Sequence, residues 1–165
     1  MKQQKLLRLL KELLKNSKRS DREIARILRV SQPTVTRTRA QLQKEYIKTY
    51  TVVPEFAKLG YQILAFTFIK MKSYPSAEEA EKIVKRAEKW TSKHPNIVFA
   101  AEGEGFGSDI VMISFHKDYV LYSDFMRTFA MDWGQIIGKF DSFLVSVGSG
   151  FKIKPLDLKY LADDL

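Results

Sequence analysis

The chain contains no cysteine and only two histidines, His94 and His116, among its 165 residues. The first absence removes disulfides, thiolate nucleophiles and cysteine-ligated zinc, haem or iron–sulfur groups. The scarcity of histidine leaves little for a metal centre or an imidazole acid/base site, and neither histidine has an Asp or Glu pattern beside it that suggests a triad or a metal. Long apolar runs are missing too. The longest lie near residues 63–69, far short of the roughly 20 residues a membrane-spanning helix needs. The leucines after the basic N-terminus are broken up by Arg8, Lys11 and Glu12, unlike a secretory h-region. These gaps point to a soluble intracellular protein with no metal, no cofactor, no membrane partner and no enzymatic centre.

Acidic residues are scarce in the first third. Residues 1–60 hold 15 Lys and Arg against 5 Asp and Glu, whereas residues 61–165 hold 13 against 14. The net charge of +9 is therefore carried by the N-terminal segment. A basic module for a polyanion, joined to a near-neutral module with another task, is the expected organisation. With 45% hydrophobic residues, a packed core is expected.

The basic part reads as three helices. Leu6, Leu7, Leu10, Leu13 and Leu14 recur at three- and four-residue steps, and Asn16-Ser17 ends that helix. Ser20-Asp21-Arg22-Glu23 is a capping box for a short helix with Ile24, Ala25, Ile27 and Leu28 facing inward, broken at Arg29-Val30. Ser31 caps a third helix from about Gln32 to Lys44, with Pro33 in its first turn and Val35 and Leu42 on its inner face. Two short capped helices joined tightly make a helix-turn-helix, whose second helix enters a DNA major groove. With Val35 inward, about 100° per residue turns Arg37, Lys44, Pro33 and Ala40 outward, flanked by Thr36 and Gln41. Arg37 is the main base-reading candidate, because a guanidinium pairs with guanine O6 and N7. Gln32, Thr34, Thr36 and Gln41 are secondary candidates. Lys18, Arg19, Arg22 and Lys48 are the expected phosphate contacts. Arg39 points about 40° from the inward direction and either reaches the DNA backbone or pairs internally. Residues 46–53 are β-branched and aromatic, and read as a strand or a small wing before the Pro54–Gly60 connector.

The rest alternates: strand (63–71), helix (77–90), strand (96–101), strand (110–115), helix (118–133), strand (140–147). This is the split βαβ, or ferredoxin-like, pattern, so the fold class is α+β: a (winged) helix-turn-helix followed by a βαββαβ domain. Such a sheet has one face under its helices and one bare face. Here both faces carry apolar side chains, with Ile63, Ala65, Ile69 and Met71 alternating with Leu64, Phe66 and Phe68. The bare face is therefore expected to be covered, most simply by a second copy in a two-fold dimer, or else by the N-terminal module. Glu102 to Asp109 is rich in glycine but precedes a strand, not a helix, and its acids would repel phosphate. It reads as a hairpin rather than a dinucleotide loop. Glu78, Glu79, Glu81, Lys82, Lys85 and Arg86 read as a solvated helix face.

The order of parts resembles the Lrp/AsnC family of prokaryotic transcription regulators, over nearly the whole chain. The carriers are Ile47-Lys48 with Tyr50-Thr51-Val52-Val53, Lys58-Leu59-Gly60-Tyr61, His94-Pro95-Asn96-Ile97-Val98, and Ser31-Gln32-Pro33-Thr34-Val35-Thr36-Arg37, which is similar to the start of that family's recognition helix. Gly105 to Ile110 is similar to its glycine–aromatic–acid loop, though longer. Thr38 and Arg39 depart from the family pattern, and no glycine closes the third helix. The resemblance implies a DNA-binding domain (1–50), a linker (51–60), and a regulatory and dimerisation domain (61–165). It also implies double-stranded DNA as partner, a homodimer or higher even oligomer, and a cytoplasmic, nucleoid-associated location. A small effector such as an amino acid is implied near Gly105, Gly107 and Asp109. Two alternatives stand: a weakly specific chromatin-like or RNA-binding protein, and a sirohaem-decarboxylase-like enzyme, which this family's architecture also serves.

Overall fold

The computed structural model describes residues 2–73, 75–148 and 153–165. Residue 74 and residues 149–152, which the expected second domain includes, lie outside the described residues. The elements are α1 (Lys2–Lys15), α2 (Asp21–Leu28), α3 (Gln32–Glu45), β1 (Ile63–Met71), α4 (Ala77–Thr91), β2 (Ile97–Gly105), β3 (Ser108–His116), α5 (Tyr119–Trp133) and β4 (Ile137–Ser146). Short 3₁₀ helices stand at Phe56–Leu59 and Leu158–Asp163. Two units separate: Met1–Val53 with Lys152–Leu165, and Pro54–Phe151. The C-terminal segment thus groups with the N-terminal helices, whereas the sequence reading kept it with the sheet.

In the helical unit, the capping box forms as its residues dictate. Glu23 N–H donates to Ser20 Oγ, and Ser20 N–H donates to the Glu23 carboxylate at 2.7 Å. α2 stops at Arg29, whose φ of 54° is left-handed. Ser31 occupies the cap position of α3, but its hydroxyl pairs with Thr34 Oγ1 at 2.8 Å instead of a backbone amide. Leu6, Leu9, Leu13, Ile24, Ala25, Val35 and Leu42 make the core. The inner stripe of α1 is therefore Leu6, Leu9 and Leu13. Of the other leucines, Leu10 packs against the edge of this same core, and α1 has a second neighbour as well. The Leu158–Asp163 helix packs along α1, with Ala162 buried and Asp163 3.6 Å from Lys15 Nζ. A helix covered on two sides shows no single clean stripe.

Two expectations fail here. Ile27 is 47% exposed: Ile24 and Leu28, four apart, already face the core, and Ile27 lies about 100° behind Leu28. Residues 47–55 form no strand or wing. β propensity needs a ladder partner to be realised, and among the described residues none pairs with this segment.

In the second unit the order β-α-β-β-α-β holds, and the four antiparallel strands lie in the order β2-β3-β1-β4. One sheet face meets the helices through Ile69, Met112, Phe125, Met126, Phe129, Trp133 and Ile137. α5 begins at Asp118, whose carboxylate accepts from Leu121 N–H at 2.8 Å. Leu121 itself is half exposed. Arg86 is not simply solvated: its guanidinium lies 4.6 Å over the Trp133 ring and donates to the Asp132 carbonyl. On the other sheet face Phe66 pairs with Ile113 and Phe143, and Leu64 with Phe115 and Val145. The bare face is thus apolar, as its alternation indicated. Phe56 covers one end of it, stacked on Phe115 at 4.2 Å. β2 and β3 run further than expected and meet at a two-residue turn, Phe106-Gly107. No described helix is long and apolar enough to cross a membrane.

Candidate nucleic-acid interface and effector recess

α3 carries all five residues singled out for base reading, and their surroundings differ. Arg37 is exposed, and among the described residues no hydrogen bond or ion pair engages its side chain. Gln32 is exposed at the start of the helix. Thr34 is half-buried and engaged with Ser31. Thr36 donates its hydroxyl to Asp21 Oδ2 at 2.6 Å, with the Gln32 carbonyl at 3.2 Å. The Gln41 amide donates to the Glu45 carboxylate at 3.1 and 3.2 Å. Thr36 and Gln41 thus have their donors occupied within the protein.

The expected phosphate contacts split similarly. Lys18, Arg22 and Lys48 are exposed, without a side-chain partner among the described residues. Arg19 is half-buried and ion-paired with Glu12 of α1. Arg39 pairs internally: Nε donates to Asp21 Oδ1 at 2.7 Å, and Nη2 donates to the Arg19 carbonyl at 2.8 Å. Asp21 is the residue that sequence reasoning missed. It served only as part of a capping box, and nothing in local spacing reveals a partner 18 positions away. Its carboxyl is held below the usual carboxylate range, foremost by the Thr36 hydroxyl, with Arg39 adding to it, against the opposing effect of burial.

The glycine-rich turn has its own geometry. Phe106 and Gly107 have φ of 53° and 67°, both left-handed, as the two-residue hairpin turns that match strand twist require. Phe106 is 91% exposed and its ring lies 5.2 Å from that of Phe68. Beside it is a recess of about 180 Å³ lined by Phe68, Gly103, Gly105, Phe106, Ile110 and Val111, among others. Of the three expected effector residues, only Gly105 lines it. Gly107 forms the turn. Asp109 is held by Lys70 Nζ at 2.7 Å and Met71 N–H at 2.8 Å, so it braces β3 against β1.

The histidines are engaged in packing. His94 Nδ1 lies 2.8 Å from the Trp90 carbonyl, and its ring lies against that of Trp90, tilted by 30°, with centroids 3.9 Å apart. His116 is buried against Tyr122 and Phe125, with Nε2 2.9 Å from Ser114 Oγ. Burial pushes its pKa down. Among the described residues no three acidic or histidine side chains are grouped to hold a metal ion.

No family model and no curated protein matches the sequence. Solved structures match the fold across its length. Transcriptional regulator NMB0573 from Neisseria meningitidis, solved as an L-Met complex, superposes with a TM-score of 0.73 at 17% identity, covering 94% of this chain and 96% of that one. B. subtilis LrpC gives 0.69 at 22% identity, with 90% and 96% covered. E. coli AsnC gives 0.69 at 17%, with 92% and 96% covered. At these identities the likeness is one of fold.

Proposed function

We propose that the chain is a sequence-specific DNA-binding transcription regulator of the Lrp/AsnC type. In this reading α2 and α3 are a helix-turn-helix in residues 1–50, residues 51–60 connect, and the ferredoxin-like part from residue 61 dimerises and regulates. The observation that carries it is Arg37: an exposed guanidinium, unengaged among the described residues, on the outward side of α3 in the segment that holds all the excess positive charge. Lys18, Arg22 and Lys48 contact phosphates, and Gln32 supports Arg37. The regulators among the structural neighbours support this reading and a non-enzymatic role in the cytoplasm, on the nucleoid.

The bare sheet face around Phe66 and Phe143 pairs two copies. The recess by Phe106 takes a small effector such as an amino acid. The L-Met complex of NMB0573 supports that choice; Gly105 lines the recess, while Gly107 sets the adjoining turn and Asp109 braces the strand behind it. An effector regulates only by favouring one arrangement of copies over another.

Arg37→Ala tests the core of this. It should cost about 1–3 kcal/mol on the preferred site and little on random duplex. Equal loss on both would remove Arg37 from base reading. A second reading, a weakly specific coating protein, is favoured by one observation: Thr36 and Gln41 have their donors engaged internally. A steep salt slope without sequence preference would establish it. Nothing favours the tetrapyrrole enzyme, since both histidines are packed against aromatic rings.

A further inference from the structure

Asp21 opens α2, yet both its carboxylate oxygens are bonded to α3. Oδ2 accepts from Thr36 at 2.6 Å and Oδ1 from Arg39 Nε at 2.7 Å. Thr36 and Arg39 are one turn apart, so the carboxylate grips α3 at two points along its length. Both points lie off the helix axis, so together they resist rotation about it as well as sliding along it. The bond from Arg39 Nη2 to the Arg19 carbonyl ties the same guanidinium to the segment before α2. The ion pair is sheltered, with the Arg39 and Asp21 side chains 18% and 21% exposed.

The clamp lies on the side of α3 away from Arg37. At about 100° per residue, the midpoint of Thr36 and Arg39 is roughly 130° around the helix from Arg37. A rotation of about 20° would carry a side-chain tip, roughly 6 Å from the axis, through about 2 Å. A base-edge hydrogen bond survives misplacement of only about 0.5 Å. Attraction to phosphate is not sequence-bound and tolerates such a shift. Releasing the clamp should therefore remove base reading and spare general affinity for duplex.

We propose that Asp21 is a positioning residue that determines DNA selectivity, holding α3 through Arg39 and Thr36 at the rotation that aims Arg37 at base edges. This rests on the DNA-reading proposal above. The depressed pKa of Asp21 keeps the carboxylate ionised at any pH where binding is measured.

The test uses the full chain in anisotropy titrations at one fixed salt, on the best fragment selected from genomic DNA and on a random duplex. Asp21→Ala, Asp21→Asn, Arg39→Met and the Asp21→Ala/Arg39→Met double variant are compared, each checked for native circular dichroism. In Asp21→Ala the selected-to-random ratio should fall about tenfold or more, the scale of one lost base contact. Affinity for random duplex should hold or rise, because a negative charge is lost and Arg39 is freed. The double variant should be no less selective than either single one, since the two residues act as a unit. Lost folding alone would lower both affinities by one factor and leave the ratio intact. If Asp21→Ala does not fold, Asp21→Asn and Arg39→Met carry the comparison. An unchanged ratio in folded variants overturns the clamp while wild-type selectivity stands. A wild type with no preference defeats the DNA-reading proposal, and the clamp falls with it.

Discussion

Leu42→Ala and Ile27→Ala form a matched pair, because alternation along the helices places both side chains inward and the structure separates them. Leu42 is fully buried, at 0% exposure, in the cluster with Leu9, Ile24 and Val35. Its carbonyl accepts from Tyr46 N–H and Ile47 N–H at 2.8 and 2.9 Å. Truncation leaves those bonds intact, so its cost is packing alone. Three buried carbons at about 0.8 kcal/mol each give about 2.4 kcal/mol. A residual cavity at the junction of three helices brings the expected loss to about 3–4 kcal/mol. In a unit of this size that lowers the melting midpoint by more than about 12 °C. Ile27 is already half exposed, so the same sum halves to about 1.2 kcal/mol, and the better helix propensity of alanine returns a few tenths. The expected net is about 1 kcal/mol or less. Urea unfolding followed at 222 nm, with midpoint and slope fitted separately, measures both. Comparable losses would mean that α2 is rotated from the orientation described, and with it the face that carries Arg22.

Phe66→Lys, at the centre of the bare sheet face, should convert a dimer to a monomer by light scattering at micromolar concentration; an unchanged mass would defeat the proposed pairing. Phe106→Asn should raise the stability of the sheet unit by about 0.5–1 kcal/mol, because asparagine tolerates the left-handed conformation that costs phenylalanine about 1–2 kcal/mol. A loss would mean that the Phe106–Phe68 contact outweighs that strain. His116 is buried and its pKa is lowered by burial. The unfolded chain therefore takes up a proton near pH 6.5 while the folded chain does not. Stability should fall as pH drops below about 6.5, until the folded group also protonates. In His116→Gln that fall should be smaller between pH 7 and 5, and an identical fall would clear His116 of the effect.

Much of this is legible in residue order, where the governing interaction is local. The Ser20–Glu23 box, the stop at Arg29-Val30 and the alternation in β1 each depend on neighbours within four positions, so spacing reveals them. Ser76-Ala77-Glu78-Glu79 carries the same box at the start of α4, with Ser76 N–H donating to Glu79 at 2.9 Å. What fails depends on partners distant in sequence. The segment that packs along α1, Leu158–Asp163, lies more than a hundred residues away in the chain. Residues 46–53 have strand composition and no strand to pair with. The expected site is affected in the same way. Arg37 is exposed as its phase indicates, but Thr36 and Arg19 have carboxylate partners on other helices, Asp21 and Glu12, that periodicity cannot show. Asp109 resembles a ligand-binding acid in sequence and is a brace between strands in space.

The central claim is sequence-specific DNA reading by α3. Selection of bound fragments from source genomic DNA, followed by anisotropy titration of the best fragment against random duplex across salt, tests it most directly. The account predicts a preference of at least about a thousandfold. It also predicts a two-fold symmetric motif with half-sites about 10 bp or a multiple apart. Binding without preference, or none at low salt, would contradict it.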